Sequence, residues 1–302
     1  MKISRREAAV LFASAPGAIL IGKSAVAAAE RVPDTHRIGG FALGCQAYSF
    51  NRYSVMEAIE KTAQAGGKII EFYPGQRLGP NAPGVGRLNA DASDEVIAQV
   101  KAQLEKFGVH AAAFGVVGLG KDEAGNRRTF EFAKKMGIGT LTCEPDVSAM
   151  DGIEKLVKEY DIRLAIHNHP RQGNNANYRY WDPAYVLSIV KDRDARIGSC
   201  ADTGHWVRSG VKPLDAVRLL KGRVLGLHLK DLHVFAPNAH DTPFGTGVGE
   251  VSGILQELRR NKFDGHVSIE YEYNWENSVP DIAQCIGYVR GWAAAADAGI
   301  KK

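Results

Sequence analysis

Short apolar runs alternate with amphipathic stretches eight times along this chain, and that alternation constrains the fold more than any other feature. Runs of strand length separated by segments of helical period imply βαβ units and a parallel sheet. The strands are expected to start at Phe41, Lys68, Val109, Gly139, Ile162, Arg196, Val224 and Gly265. Helix signals fill the intervals. Ser54 with Glu57 forms a capping box before an amphipathic stretch that Gly66 and Gly67 end. Ser93 precedes Ile97, Val100 and Leu104 at helical spacing, and Asp182-Pro183 and Lys212-Pro213 place proline at a first helical position. Leu214, Val217 and Leu220, and then Ile254, Leu255 and Leu258, point two later helices at the sheet. Eight strand–helix units predict an α/β fold, a (β/α)8 TIM barrel. A doubly wound open sheet is the alternative, but no G-x-G-x-x-G follows the first strand.

Residues 1–29 read as an export signal. Arg5-Arg6 precede an uncharged run from Ala8 to Gly22, and Ala25-Val26-Ala27 offers a small-residue cleavage site. Paired arginines suggest the twin-arginine route. The run is too short and too rich in Gly and Ala for a membrane span. The expected organisation is a signal over 1–29 and one catalytic barrel over 30–302, periplasmic or secreted, with no membrane attachment after cleavage. Lys2, Arg5, Arg6 and Lys23 against Glu7 give the signal three of the chain's four net positive charges. The near-neutral remainder has no electrostatic footprint for nucleic acid. Export permits disulfides, yet Cys45, Cys143, Cys200 and Cys285 show no paired spacing, so buried free thiols are expected.

In a barrel of this kind, active-site residues lie at the C-terminal ends of the strands. Strand 2 ends in Glu71 and Tyr73, strand 4 in Glu144, strand 5 in His167-Asn168-His169, and strand 6 in Asp202-Thr203-Gly204-His205. Strand 7 ends in His228-Leu229-Lys230-Asp231, and strand 8 in Glu270-Tyr271-Glu272. Residues two apart share a face of a strand, so His167 with His169, His228 with Lys230, and Glu270 with Glu272 point inward together. So many carboxylates and imidazoles at one mouth require a neutralising cation.

The series D-T-G-H, H-L-K-D, a Gly-rich loop over 245–249 and I-E-Y-E resembles the xylose-isomerase-like sugar phosphate isomerase/epimerase superfamily. Endonuclease IV, ketose 3-epimerases and inosose dehydratases belong to it. The resemblance runs from Leu43 to about Arg290. It implies Asp202, His228 and Glu270 as metal ligands. Ketose 3-epimerases take the fourth from strand 5, where this chain has His167. Inosose dehydratases have a Glu at the end of strand 4, and on that likeness Glu144 is expected as fourth ligand, with His167 competing. Three carboxylates and one imidazole suit Mn²⁺ or Mg²⁺, with Co²⁺ or Zn²⁺ as alternatives.

The resemblance further implies enolisation of a small-molecule carbohydrate, and export favours a keto sugar or keto-glycoside over a sugar phosphate. His167 or His169 would be the base, Lys230 would polarise the carbonyl oxygen, and His205 would protonate a leaving hydroxyl or bind substrate. Glu71 and Glu272 would bind sugar hydroxyls or hold histidines, and Tyr48 would pack on the sugar ring or in the core. The Gly-rich loop would cradle a phosphate or act as a flexible active-site loop. Arg179-Tyr180-Trp181, after the polar loop from Gln172 to Tyr178, would form a lid or an oligomer contact. A homodimer is common for the architecture. Two rivals are an exported sugar-binding protein without catalysis and an apurinic endonuclease-like hydrolase. The third strand carries His110 at its start and none at its end, which counts against the endonuclease.

Overall fold

The computed structural model describes residues 32–79, 86–173 and 175–299. The expected signal over 1–29 lies outside them. Eight parallel strands close on themselves: β1 (Phe41–Gln46), β2 (Ile69–Phe72), β3 (His110–Leu119), β4 (Thr140–Pro145), β5 (Arg163–His167), β6 (Ile197–Asp202), β7 (Val224–Leu229) and β8 (His266–Ile269). Each pairs with the next in sequence, and β8 closes the ring on β1 with His266 opposite Ala42 and Ile269 opposite Cys45. This is the TIM barrel that the alternation of runs predicts, with all eight strands where expected.

The helices form the outer layer. They are α1 (Val55–Gln64), α2 (Asp94–Phe107), α3 (Glu123–Met136), α4 (Met150–Tyr160), α5 (Pro183–Val190), α6 (Thr203–Arg208), α7 (Pro213–Leu219), α8 (Val251–Arg260) and α9 (Val279–Asp297). Local chemistry sets their starts. Ser54 and Glu57 cap α1 reciprocally, with the Glu57 carboxylate 2.8 Å from the Ser54 amide. Pro183 and Pro213 open α5 and α7, where the missing N–H has no partner to lose. Ile97, Val100 and Leu104 of α2, Leu214 and Val217 of α7, and Ile254, Leu255 and Leu258 of α8 are buried against the sheet. Each contributes about 1.5–3 kcal/mol through its apolar area.

All four cysteines are buried and free, as their spacing implies. No helix among the described residues is long and apolar enough to cross a membrane. Register then fixes what meets at the mouth. His228 is the Cα partner of Asp202, and His167 is the partner of Cys200, one inward position below Asp202.

Candidate metal centre

Three of the strand ends are tied together before any chemistry is considered. Asn168 exchanges hydrogen bonds with the Asp202 backbone, at 2.9 and 3.0 Å, and so locks the end of β5 to β6. The Thr203 hydroxyl accepts the Lys230 amide at 2.8 Å and donates to the Lys230 carbonyl at 2.9 Å, locking β6 to β7. Gly204 is required by close approach, because a Cβ there would lie 2.6–2.8 Å from Lys230 side-chain carbons. The Asp202 carboxylate also accepts the His205 amide at 2.7 Å. Each residue of the D-T-G-H series therefore has a physical task.

Four donor residues, His167, Asp202, His228 and Glu270, present ligand atoms that all lie within 4.8 Å of one another. All four are buried. His228 Nδ1 sits 3.2 Å from Glu270 and 3.9 Å from Asp202, and His167 Nε2 sits 3.5 Å from Asp202. The ring nitrogens of His167 and Nδ1 of His228 have no partner in hydrogen-bond geometry. Buried polar atoms are ordinarily paired, so these imidazoles fit a bound cation. The donor set fits too: two imidazoles and two carboxylates are a usual environment for a divalent transition metal. These residues form a candidate buried metal site.

Glu144, the fourth ligand that the resemblance implies, borders this group through His167. Its Oε1 accepts from His169 Nδ1 at 2.6 Å and from the Tyr178 hydroxyl at 2.6 Å, and it stands 3.7 Å from His167 Nδ1. It groups with His167 and His169, on the far side of His167 from Asp202. β4 lies next to β5 in the ring, and Glu144 at its end meets the β5 imidazoles of His167 and His169. Burial opposes the Glu144 charge, but hydrogen bonds from His169 and Tyr178, with the His167 imidazole 3.7 Å away, outweigh it and hold the carboxyl well below its usual range.

Glu71 departs from a substrate-binding position. It is fully buried and does not line the cavity. Its Oε2 lies 3.1 Å from His228 Nε2, 3.1 Å from His266 Nε2 and 2.8 Å from the Ser268 hydroxyl. Burial works against its charge, yet the two imidazoles keep its pKa low. It holds histidines rather than sugar hydroxyls. Gly226 makes room for this layer: a Cβ there would be 2.4 Å from the His266 ring.

Lys230 does not reach the cavity with a free donor. Its Nζ lies 2.9 Å from Asp202, 2.7 Å from Glu270 and 2.7 Å from Glu272, and the residue is only 2% exposed. An ammonium has three donors and all three are engaged. Burial alone would lower the Lys230 pKa, but the surrounding carboxylates raise it well above the usual value, so it is a fixed charge. Glu272 also accepts from Arg208 at 2.8 Å, and Arg208 bonds Asp241 at 2.9 Å.

A cavity of about 380 Å³ opens above these groups. Tyr48, Tyr73, Gln46, His169, His205 and Glu272 line it, together with His167 and Glu270. His205 receives a hydrogen bond from Arg208 at Nδ1, 3.1 Å, which leaves its proton on Nε2, 3.5 Å from Asp202. Burial holds His205 neutral, far below the ordinary histidine pKa. The Gly-rich loop turns its amides toward one of the chain's own carboxylates. Its amides at Gly245, Gly247 and Gly249 donate to the Asp231 carboxylate at 2.9, 3.1 and 2.8 Å.

Gln46, Tyr178, Arg208, Asp241 and His266 also belong to the site and its support, and strand-end reading passes over them. Only Tyr178 carries a signal in the sequence, through the polar loop after the fifth strand. Tyr180, in the segment expected as a lid or contact, hydrogen-bonds the Pro145 carbonyl.

A TIM barrel with a buried His/Asp/Glu cluster under an open mouth defines a class of small-molecule enzyme scaffold. The xylose isomerase-like TIM barrel family model matches residues 59–289, and the chain belongs to that family. A solved structure of an uncharacterized protein from Parabacteroides distasonis ATCC 8503 is similar at 33% identity, covering 82% of this chain and 97% of that one, with a TM-score of 0.66. A D-tagatose 3-epimerase-like protein shares the fold at 16% identity, 85% and 98% coverage and a TM-score of 0.64. A protein of Campylobacter concisus (strain 13826) named "Probable endonuclease 4" is 23% identical over 231 residues, 63% of this chain and 81% of its own length.

Proposed function

We propose that this chain is a divalent-metal-dependent enzyme that enolises a keto sugar or keto-glycoside, with isomerisation or elimination as the outcome. The observation that carries the reading is the four-residue donor group beneath a cavity that also holds a paired base, Glu144–His169. The proposed ligands are His167, Asp202, His228 and Glu270. This set moves the expected metal from Mg²⁺ toward Mn²⁺, Co²⁺ or Zn²⁺, because two imidazoles favour borderline ions. A divalent ion held there would withdraw electrons from a carbonyl and its neighbouring hydroxyl and acidify the adjacent C–H.

With His167 committed as a ligand, the base falls to His169. Glu144 accepts its Nδ1 proton, which fixes the tautomer and leaves the Nε2 lone pair for the substrate. His169 Nε2 takes the carbon-bound proton, and the C–H electron pair moves into the new C=C bond as the carbonyl oxygen gains charge. Delivery of that proton to the former carbonyl carbon, with the neighbouring hydroxyl passing its own proton to the old carbonyl oxygen, gives the isomer. For elimination, the imidazolium formed on His169 returns its proton to the departing hydroxyl, which leaves as water, while neutral His205 offers its Nε2–H as a hydrogen-bond donor to substrate. Glu272, fixed by Lys230 and Arg208, offers an acceptor to a sugar hydroxyl at the cavity edge. Tyr48 supplies aromatic surface in the same cavity. The similarity to a D-tagatose 3-epimerase-like fold supports the sugar class, and residues 1–29 support a periplasmic or secreted location.

The test is an NMR screen of keto sugars and 3-keto-glycosides in D₂O with the metal-loaded protein. One substrate C–H is expected to exchange, and His169→Ala to abolish exchange while keeping its metal. No exchange with any candidate, or full exchange by His169→Ala, would refute the reading. The similarity to the endonuclease 4 relative motivates a second reading, abasic-DNA hydrolysis. Against it, β3 ends in Val117-Gly118-Leu119, without a further metal ligand. Cleavage of an abasic duplex is the discriminating assay.

A further inference from the structure

Beside the metal pocket lies a second, larger cavity of about 670 Å³, within the size range of small-molecule sites. The two share an aromatic wall. Tyr73 meets Tyr48 edge-on with ring centres 5.2 Å apart, and Tyr48 meets Trp275 edge-on at 5.9 Å. Tyr48 and Tyr73 line the metal pocket, whereas Trp275 and Tyr273 line its neighbour. The strip of aromatic surface therefore runs from one cavity into the other. Tyr48 is 39% exposed and Tyr273 47%, so this surface is presented rather than packed away.

The neighbouring cavity is built in advance. Tyr273 stacks on His240 at 4.1 Å and 12°, and His240 stacks on His233 at 3.7 Å and 13°, which fixes the plane of the Tyr273 ring. The loop carrying Tyr273 and Trp275 is braced by Asn274, in left-handed backbone geometry at φ 51°. Asn274 Nδ2 donates to the Asn277 carbonyl at 2.9 Å and to Asp281 at 3.0 Å. The Tyr53 hydroxyl holds the Glu276 carbonyl at 2.8 Å. A loop ordered before binding loses less freedom on binding.

Charge narrows the occupant. Asp241, Glu276 and Asp281 line this cavity with Arg52; Arg52 pairs with Glu276 at 3.4 Å and Asp241 with Arg208 at 2.9 Å, so neither guanidinium is free to hold a phosphate or another anion. The lining suits hydroxyl groups, which donate to carboxylates while a flat sugar face lies on an aromatic ring.

We propose that this cavity is a subsite for the second ring of a neutral glycoside whose keto ring occupies the metal pocket. The inference rests on the reading of that pocket as a carbohydrate site, and it narrows the substrate class from keto sugars to glycosidically linked ones. Trp275 and Tyr273 are its binding surface.

Ligand-detected NMR titration of the zinc-loaded His169→Ala protein, which binds without turnover, tests it, with the methyl glucosides and cellobiose, maltose and trehalose each supplied in the 3-keto form. At least one disaccharide is expected to bind about three- to tenfold tighter than the matching methyl glucoside, the range one aromatic contact supplies. Trp275→Ala, and separately the more exposed Tyr273→Ala, should reduce the disaccharide to the affinity of the methyl glucoside and leave the latter unchanged. Equal affinity for one and two rings, or a preference that survives both substitutions, overturns the subsite while the metal-pocket reading stands. Failure of every saccharide to bind overturns both.

Discussion

Replacing Gly226 by alanine probes the buried polar layer beneath the site. The added Cβ would lie 2.4 Å from His266 Cε1, 2.7 Å from Nε2 and 3.1 Å from Nδ1, so the ring must retreat by about 1 Å to restore van der Waals separation. His266 Nε2 stands 3.1 Å from Glu71, and a retreat of that size takes it out of hydrogen-bond range. Overpacking costs about 1–3 kcal/mol and a lost bond to a charged acceptor about 1.5–3 kcal/mol, so a destabilisation near 3 kcal/mol is expected. For a chain of this size that lowers Tm by roughly 6–12 °C. Glu71 also braces His228 at 3.1 Å, so metal affinity should fall by about 10- to 100-fold. Thermal and urea unfolding of Gly226→Ala, His266→Ala and the double variant separate the causes. Once the ring is gone, the extra methyl has nothing to strike, and Gly226→Ala should cost under about 0.5 kcal/mol in the His266→Ala background. Equal costs in both backgrounds would refute the steric argument.

Asp231→Asn should loosen the loop over 245–249, because one carboxylate oxygen pair holds three amides there. Amide exchange at Gly245, Gly247 and Gly249 is expected to accelerate by about tenfold or more, with the barrel strands unchanged. The acid limb of stability should carry the mark of Glu144. Its folded pKa lies below the unfolded value of 4.5, so its contribution is present above pH 4.5 and lost as the pH falls through the folded value. Glu144→Gln should therefore flatten the denaturation-midpoint profile below pH 4.5, and an unchanged slope there would count against the His169–Glu144–Tyr178 network.

The barrel is legible because its signals are local. Strand-length runs, the Ser54–Glu57 cap and the prolines at 183 and 213 each act within a few residues, and all take the predicted form. The site is legible in its strand ends but not in its geometry. Position along a strand says that Glu144, His167 and Glu71 face inward; it does not say how far round the ring or how deep each one lies. Glu144 sits one strand away from the donor arc, and Glu71 lies beneath His228 rather than beside a substrate. Lys230 reads as a free catalytic cation until three carboxylates from two other strand ends are found around its ammonium. Tyr178 and Arg208 enter through a loop and a short helix, and long-range closure, not sequence spacing, brings them to Glu144 and Glu272.

The central claim is a metal held by His167, Asp202, His228 and Glu270. Its most direct test is metal stoichiometry by mass spectrometry, with Mn²⁺ titrated calorimetrically into wild type, alanine variants of those four residues, and Glu144→Gln. One ion per chain is predicted for wild type and for Glu144→Gln, with binding weakened by about 100-fold or more in each alanine variant. Metal-free wild type that takes up no Mn²⁺, Co²⁺ or Zn²⁺, or a site that needs Glu144 and tolerates loss of His167, would contradict the account.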